Sequence, residues 1–357
     1  MNLTSRPLHV AYSLALSAIL VVISMESHAS ATSIDSSDDI QQTVDRVSGT
    51  NLAETIGDLE VFGTRAFYTS SGWNASIYVH DRFAELGYWV YYQNLEVSGF
   101  PARNVIAVKN GTNASDPLYL FGAHYDCANK EAANYSEGEI LAAPGADDDA
   151  SGVAAVIEIA RILKETRLSS MVKFVAFAAE ESGLNGSRYF ARQEHDAGWV
   201  YENTALMDMI GYKVASQNRA MIFSGSPHNT LAPSMVSAID TFNLDLSAEI
   251  VTGYDLTSSD HASFWEVGYP SLLVIEELVN SSVASPYYHT TQDTLSTLSV
   301  DQMVEITKAV LGGFLLLENP LKTEGLAMGT IAVIGVVVGV AVIVAVVYLV
   351  RHRRVEP

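Results

Sequence analysis

Short apolar runs along the chain alternate with segments of helical periodicity. Runs of strand length occupy residues 88–96, 104–109, 118–122, 172–178, 204–209, 220–224 and 271–275. Helical patterns occupy residues 39–47, 72–85, 151–165, 188–195, 231–242 and 300–318. Several strand runs are apolar throughout, which is typical of strands buried on both faces. The alternation predicts an α/β fold, a three-layer sandwich with a mostly parallel central sheet flanked by helices.

The amino-terminal end differs from this middle part. Residues 9–24 form an uncharged apolar run behind Arg6, and small residues follow it. This layout predicts that residues 1–30 are a signal peptide or, if they are not cleaved, an N-terminal anchor. Residues 31–38 are rich in Ser and Asp and are predicted to be disordered.

A second long apolar run lies near the other end. Residues 326–350 are 25 positions without a charge, which is long enough for a transmembrane helix. Three arginines follow within residues 351–357, which predicts a cytoplasmic basic tail. We therefore expect a single-pass protein of the cell membrane whose domain at residues 39–320 is extracellular. Gly335 and Gly339 have a spacing through which such helices can form a homodimer.

The predicted extracellular part is strongly acidic. The chain has 20 basic and 41 acidic residues, and leaving out residues 1–30 and 326–357 removes four and two of them, so 16 and 39 remain, a net charge of -23. Such a surface repels nucleic acid, so no nucleic-acid partner is expected. Cys127 is the one cysteine, which excludes an intramolecular disulfide. Asn-x-Ser/Thr sequences in this part predict a glycoprotein.

Histidines and carboxylates gather where predicted strands end. His124 and Asp126 follow the run at 118–122, Glu180 and Glu181 follow the run at 172–178, and Asp208 follows the short run at 204–207. Ligands of α/β sheets collect at the carboxyl ends of strands, so these side chains are candidates for one site. Each also has a structural interpretation, as a satisfied core histidine, an exposed acidic turn or a partnered buried acid.

Two further segments extend this set. Residues 144–152 read Pro-Gly-Ala-Asp-Asp-Asp-Ala-Ser-Gly, and their acids fit both a metal site and the N-cap of the helix that follows. His289 has Asp293 nearby as an orienting acid. Together these groups form a mixed nitrogen and oxygen ligand set suited to zinc. Five ligands exceed the needs of one catalytic zinc ion, and they fit two ions that share a carboxylate and a water.

Six motifs occur in an order that resembles the secreted two-zinc aminopeptidases of the bacterial leucyl aminopeptidase type, metallopeptidase family 28 of clan MH. The resemblance covers residues 40–318. Its motifs are His124-Tyr125-Asp126, Pro144 to Gly152, Ala179-Glu180-Glu181-Ser182-Gly183-Leu184 with Gly186-Ser187, Leu206-Met207-Asp208-Met209, Ser258-Ser259-Asp260-His261-Ala262-Ser263 and His289-Thr290-Thr291-Gln292-Asp293-Thr294.

This resemblance implies two Zn²⁺ ions per chain, or other divalent ions in their place. Residue by residue, it implies that one ion is held by His124 and Asp208, the second by Glu181 and His289, and that Asp148 bridges them. It further implies that Asp126 orients His124 and that Glu180 is the general base and acid. A metal-bridging hydroxide would then hydrolyse the N-terminal peptide bond of peptides that have a free amino end.

Two other functions stay open at this point. A carboxypeptidase of the same fold would need Arg or Lys near the site to bind the substrate carboxylate, and the motifs are poor in both. A non-catalytic cell-surface binding module would not need the intact ligand and base positions. Cys127 is either a supplementary ligand or a buried packing residue, and Asp260 and His261 are expected to line the site or support its ligands.

Overall fold

Eight strands and eight α-helices form the described part of the chain. The structure is a computed structural model that describes residues 36–112, 117–128, 143–225, 229–253, 256–278 and 282–319. Strands β1 to β8 are Trp89–Val97, Phe100–Lys109, Leu118–His124, Met171–Phe177, Tyr201–Met207, Arg219–Ser224, Ser247–Val251 and Ser271–Ile275. Helices α1 to α8 are Ser37–Val44, Gly49–Glu60, Ser70–Glu85, Gly152–Lys164, Asn185–Asp196, Leu231–Thr241, His261–Trp265 and Val300–Glu318. A wide helical turn, Ala146–Ser151, precedes α4, and a 3₁₀ turn, Leu295–Thr297, precedes α8.

The strands form one mixed sheet in the order β1-β2-β4-β3-β5-β8-β6-β7. Four pairs are parallel: β4 with β3, β3 with β5 and β5 with β8 in the centre of the sheet, and β6 with β7 at one side. The pairs β1 with β2, β2 with β4 and β6 with β8 are antiparallel. The prediction of a mostly parallel sheet is therefore corrected to a mixed sheet.

The antiparallel start of the sheet follows from a tight turn. Ser98 and Gly99 join β1 to β2, and both have positive φ, 52° and 85°. Positive φ at both residues of a two-residue turn is the geometry that closes an antiparallel hairpin. A parallel pair would need a crossover of a dozen or more residues, and two residues do not provide it.

Helices cover both faces of the sheet, which confirms the three layers. The helices α1 to α4, α6 and α8 lie on one face, where Phe121 stacks on Phe174 with ring centroids 6.1 Å apart and meets Phe314 of α8 at 5.4 Å. On the other face, α5 and α7 cover a second apolar cluster that includes Phe177, Phe190 and Phe264.

Several helix and strand boundaries differ from the pattern-based ones. Helix α1 begins at Ser37, because the Ser36 side chain accepts the N–H of Asp39 and caps it, so residues 37 and 38 are helical and not disordered. The apolar pattern missed α2, β7 and α7. Helix α2 begins with polar residues, β7 is a partly exposed edge strand, and α7 has five residues.

The predicted signal peptide and membrane helix lie outside the described residues. Those predictions fall on residues 1–30 and 326–350, and the basic tail on residues 351–357. Among the residues that the structure describes, no helix is both long and apolar enough to cross a membrane.

The parallel strands give the sheet two distinct edges. We call the edge at which β3, β4, β5 and β8 end the C-edge, and the edge at which they begin the N-edge. Because β2 runs antiparallel to β4, the turn between β1 and β2 also lies at the C-edge. This arrangement decides which polar residues can meet.

Candidate metal centre

The residues predicted to bind metal come together at the C-edge. His124 ends β3, Glu180 and Glu181 follow β4, and Asp208 follows β5. Two groups of possible ligand atoms result, each with all its atoms within 4.8 Å of one another. They are His124 with Glu180 and Asp208, and Asp148 with Glu181 and His289. The five predicted ligands and the predicted base thus share one site.

Asp148 stands between the two groups. Its Oδ1 lies 3.2 Å from Nε2 of His124, and its Oδ2 lies 2.9 Å from Nε2 of His289. The two oxygens of one carboxylate therefore face the two histidines separately. This is the arrangement expected of a carboxylate that bridges two ions.

Each histidine has a further carboxylate beside it. Oδ1 of Asp208 lies 3.6 Å and Oε2 of Glu180 lies 4.0 Å from Nε2 of His124. Oε2 of Glu181 lies 2.8 Å from Nε2 of His289, while Oε1 of Glu181 accepts the N–H of Ala128 at 3.0 Å. The second contact fixes the direction of the Glu181 carboxylate.

Asp126 organises the backbone of the glutamate pair. Its carboxylate accepts the N–H of Glu180 at 3.0 Å and of Glu181 at 3.4 Å. The nearer contact of His124 Nδ1 is the Asp126 carbonyl oxygen, at 3.1 Å, and the carboxylate oxygen lies at 3.7 Å. Asp126 thus orients His124 mainly through its main chain and holds Glu180 and Glu181 through its side chain.

Asp293 holds the turn that carries Asp148. Its Oδ1 accepts the N–H of Asp147 at 2.9 Å, its Oδ2 accepts the N–H of Asp148 at 3.1 Å, and its carbonyl oxygen accepts the N–H of Ala146 at 3.2 Å. Sequence reasoning had Asp293 as an orienting acid near His289. In the structure its carboxylate instead fixes the backbone of Asp147 and Asp148.

Arg65 holds the same turn, and no sequence signal pointed to it. This fully buried arginine donates from Nε to the carbonyl of Tyr125 at 2.7 Å and from Nη2 to the carbonyl of Gly145 at 2.8 Å. Its Nη1 also donates to the carbonyl of Pro144. Cys127 lies beside it as a buried packing residue, with Sγ donating to the Ala143 carbonyl at 2.8 Å.

The other two acids of the turn act as structural links, as the capping interpretation predicted. Asp149 accepts the N–H of Gly152 at 2.8 Å and so caps α4, and it also accepts the N–H groups of His124 and Met209, both at 3.2 Å. Asp147 accepts the N–H of Gly211 at 2.9 Å. These bonds connect the turn to the ends of β3 and β5.

The electrostatics of the site favour a bound cation. Burial, with the neighbouring Asp148 charge, raises the pKa of Glu181 to about 7. Burial also raises the pKa of Glu180 well above its ordinary value, and the charges of Asp260 and Asp208 add to this. Oδ1 of Asp208 is buried, and no hydrogen-bond donor within the described ranges reaches it. Carboxylates crowded in this way with two imidazoles fit a divalent cation such as zinc.

The family of the chain follows from a comparison with known sequences. Residues 104–313, more than half of the chain, match the profile of Peptidase family M28. The chain belongs to this family. That range contains every residue of the two ligand groups, so membership and geometry refer to the same part of the molecule.

Two curated relatives in this family are named leucine aminopeptidase 1. The one from Ajellomyces capsulatus (strain H88) is 33% identical over 210 residues, which are 54% of this chain and 51% of the relative. The one from A. capsulatus (strain NAm1 / WU24) is 28% identical over 292 residues, 76% of this chain and 72% of the relative. The chain thus spans about half to three quarters of the length of these relatives.

Solved structures share the fold. The aminopeptidase LapA of Legionella pneumophila superposes with a TM-score of 0.68 at 19% identity, over 84% of this chain and 79% of that one. The profile match confirms the predicted membership in metallopeptidase family 28, and with it the prediction of a peptidase.

A cavity of about 450 Å³ opens onto the two ligand groups of this M28 site. Its polar lining includes His124, Asp148, Glu180, Glu181 and Asp208, together with Ser258, Ser259, Ser282 and Ser285. Its apolar lining includes Met209, Leu256, Leu273, Ile275, Leu278, Val283 and Tyr288. None of the described lining residues is Lys or Arg.

Asp260 and His261 are buried near the site. Asp260 contributes negative charge near Glu180. Nε2 of His261 contacts the carbonyl oxygen of Leu256 at 2.7 Å, and its ring stands edge-on to Trp265 at 4.4 Å. Neither residue belongs to the two ligand groups found in the described residues.

Proposed function

We propose that the chain is a membrane-anchored, extracellular zinc exopeptidase that hydrolyses the N-terminal peptide bond of peptides. The observation that carries this proposal is the position of Asp148, whose two oxygens face His124 and His289 separately. His124 and Asp208 would hold one Zn²⁺, Glu181 and His289 a second, and Asp148 would contact both.

Glu180 and Asp126 have separate roles in the proposed hydrolysis. Zinc bound in this position supplies Lewis-acid activation of water and of the scissile carbonyl. Glu180, whose carboxylate lines the cavity and lies 4.0 Å from Nε2 of His124, would accept the water proton and later donate a proton to the leaving amine. Asp126 keeps Glu180 in place through the Glu180 N–H.

The charge of the cavity supports action at the amino end. A carboxypeptidase would need a cationic side chain for the substrate carboxylate, and none lines the described cavity. The carboxylates of the two ligand groups suit the free α-ammonium group at the amino end of a peptide. The apolar side chains of the same cavity suit an apolar first residue, which agrees with the names of the two leucine aminopeptidase relatives.

The membrane anchor is the uncharged run at residues 326–350, followed by arginines on the cytoplasmic side. With residues 1–30 as a signal peptide, the domain lies outside the cell. A homodimer through Gly335 and Gly339 belongs to the same proposal.

The deciding experiment combines metal counting with a digest of peptide mixtures by the purified chain. We expect two zinc ions per chain and release of single residues from free amino ends, with apolar residues released first. Glu180→Gln should keep the zinc content and lose activity by a factor of about 10² to 10⁴, the usual contribution of a general base. Cleavage of amino-blocked peptides from the carboxyl end would favour the carboxypeptidase, and two bound zinc ions without turnover would favour the binding module.

A further inference from the structure

The described chain leaves the domain at the N-edge, on the side opposite the cavity. Helix α8 ends at Glu318, whose carboxylate accepts the hydroxyl of Ser169 at 2.8 Å and the N–H of Ser170 at 3.0 Å. These serines directly precede β4, which begins at Met171. The end of α8 is therefore fixed beside the start of a central strand.

Only a short connection separates this point from the apolar run. Residues 320–325 are six residues, which can span at most about 20 Å when fully extended. If residues 326–350 cross a membrane, the N-edge must lie within this reach of the bilayer surface. The C-edge then points away from the membrane, since β3 alone separates the two edges by roughly 23 Å.

Large apolar side chains are exposed at this same edge. Trp89 is 67% exposed, Trp199 is 44% exposed and Val200 is 77% exposed. We call these three residues and Tyr91 the N-edge patch. Monomeric soluble proteins rarely group such side chains unless the surface contacts a partner or a membrane.

The members of the patch are neighbours across the sheet. Trp89 begins β1 and pairs with Val108, and Val108 pairs with Lys173. The Trp199 ring lies 4.4 Å from the ammonium nitrogen of Lys173, and the Trp89 ring lies 4.8 Å from that of Tyr91. The patch therefore extends from Trp89 and Tyr91 on β1, past Val108 and Lys173, to Trp199 just before β5.

We propose that the N-edge patch lies in the interfacial layer of the membrane that holds the anchor. This inference rests on the proposed anchor and adds a second contact to it. Tryptophan and tyrosine favour the membrane interface because their rings are apolar and carry one polar group. The acidic domain disfavours anionic lipid, so the expected partner is a zwitterionic surface. The contact would hold the domain upright with its cavity facing the medium.

The test uses the full chain in nanodiscs of phosphatidylcholine brominated close to the headgroup, which quenches tryptophans in the interface. The chain has four tryptophans, so single residues can be assigned. We expect quenching of wild-type emission and loss of most of that quenching in the double variant Trp89→Phe/Trp199→Phe. Trp73→Phe is the matched control, because Trp73 is 37% exposed and lies on α3 outside the patch. It should leave the quenching unchanged.

The outcomes separate the patch from the anchor. A chain that enters nanodiscs and resists extraction by alkaline carbonate, but shows no quenching or equal quenching in the double variant, overturns the patch and leaves the anchor intact. A chain that never enters the membrane overturns both. Retained aminopeptidase activity in the double variant shows that the change in quenching does not come from misfolding.

Discussion

Asp293 and Arg65 both hold the turn that carries Asp148. Asp293 accepts the backbone N–H of Asp148 itself, and Arg65 donates to the carbonyls of Pro144 and Gly145. A ligand carboxylate that must face two ions needs a fixed backbone, because a small rotation moves one oxygen away from its partner. Neither residue supplies a ligand atom to the two groups, so each would act on a bound metal only through the position of Asp148.

Replacing Asp293 should weaken metal binding. We expect Asp293→Ala to lower zinc affinity by about 10 to 100-fold, the usual effect of losing a residue that orients a ligand. Asp293→Asn keeps one acceptor oxygen and should have a smaller effect. Zinc affinity measured by competition with a chelator tests this, together with urea unfolding of the metal-free protein.

The exposed Asp196→Asn is the matched control and should bind zinc as the wild type does. Wild-type zinc affinity in Asp293→Ala would contradict the positioning role. A loss of stability in the metal-free protein that fully accounts for the weaker binding would do the same.

Zinc affinity should increase with pH. Although burial opposes it, contacts with Asp148 and Glu181 raise the pKa of His289 to about 9, and burial raises that of Glu181 to about 7. The metal-free site therefore carries protons at pH 7, and zinc must displace them. Affinity should rise by up to about tenfold per pH unit for each displaced proton and level off above pH 9. Chelator-buffered titrations between pH 6 and 9 measure this, and an affinity independent of pH would disprove it.

At the scale of elements, the turn before α4 shows how local and distant constraints combine. Gly145 has a φ of 55°, and a Cβ at this position would lie 2.4 Å from the carbonyl oxygen of Asp148 and 2.5 Å from Cβ of Cys127. The turn therefore needs glycine for two reasons, backbone conformation and lack of space. A turn that only capped a helix would need the first reason alone.

Gly145→Ala should disturb both stability and the metal site. The positive φ alone costs about 1–2 kcal/mol for a residue with a side chain, and the overlap adds roughly 1–3 kcal/mol. Gly99→Ala is the control, because Gly99 has a φ of 85° and nothing within 4 Å of its Cβ position. Unfolding in urea should show a larger loss for Gly145→Ala, and only this variant should bind less zinc. Equal losses in the two variants would contradict the steric argument.

At the scale of the whole molecule, the cavity and the end of α8 occupy opposite edges of the sheet. The ligand groups lie at the C-edge, and Glu318 lies beside the start of β4 at the N-edge. The last described residue, Asn319, therefore lies at the edge of the sheet away from the cavity. Anchoring and catalysis are expected to be separable.

Ending the chain after Asn319 should release an active enzyme. We expect the protein that lacks residues 320–357 to leave the membrane fraction while kcat/KM on an aminoacyl-nitroanilide stays within about twofold of the full chain, because α8 ends at the N-edge and the ligand groups lie at the C-edge. Membrane fractionation tests the predicted release, and steady-state kinetics test the predicted kcat/KM. A truncated enzyme that folds but loses turnover would show that the carboxyl-terminal segment contributes to the site.

The sequence by itself determined features that depend on residues close together in the chain, namely the buried strands and the polar residues that follow them. Continuous apolar runs identified the buried strands, and the polar residues directly after them identified His124, Glu180, Glu181 and Asp208. Residue chemistry then indicated a cation, because these histidines and carboxylates together form a mixed nitrogen and oxygen ligand set suited to zinc. The resemblance of the motifs assigned the bridging position to Asp148.

Only the tertiary structure decided which distant residues meet. Asp293 bonds to the N–H groups of Asp147 and Asp148 across about 145 residues, and Arg65 reaches Gly145 across 80, so neither contact leaves a local pattern. The mixed sheet likewise depended on a two-residue turn and on the pairing of β6 with β8. The periodicity of a sequence indicates whether a segment is buried. The arrangement of segments relative to one another depends on hydrogen bonds between residues that are far apart in the sequence. That arrangement sets the positions of the two oxygens of Asp148.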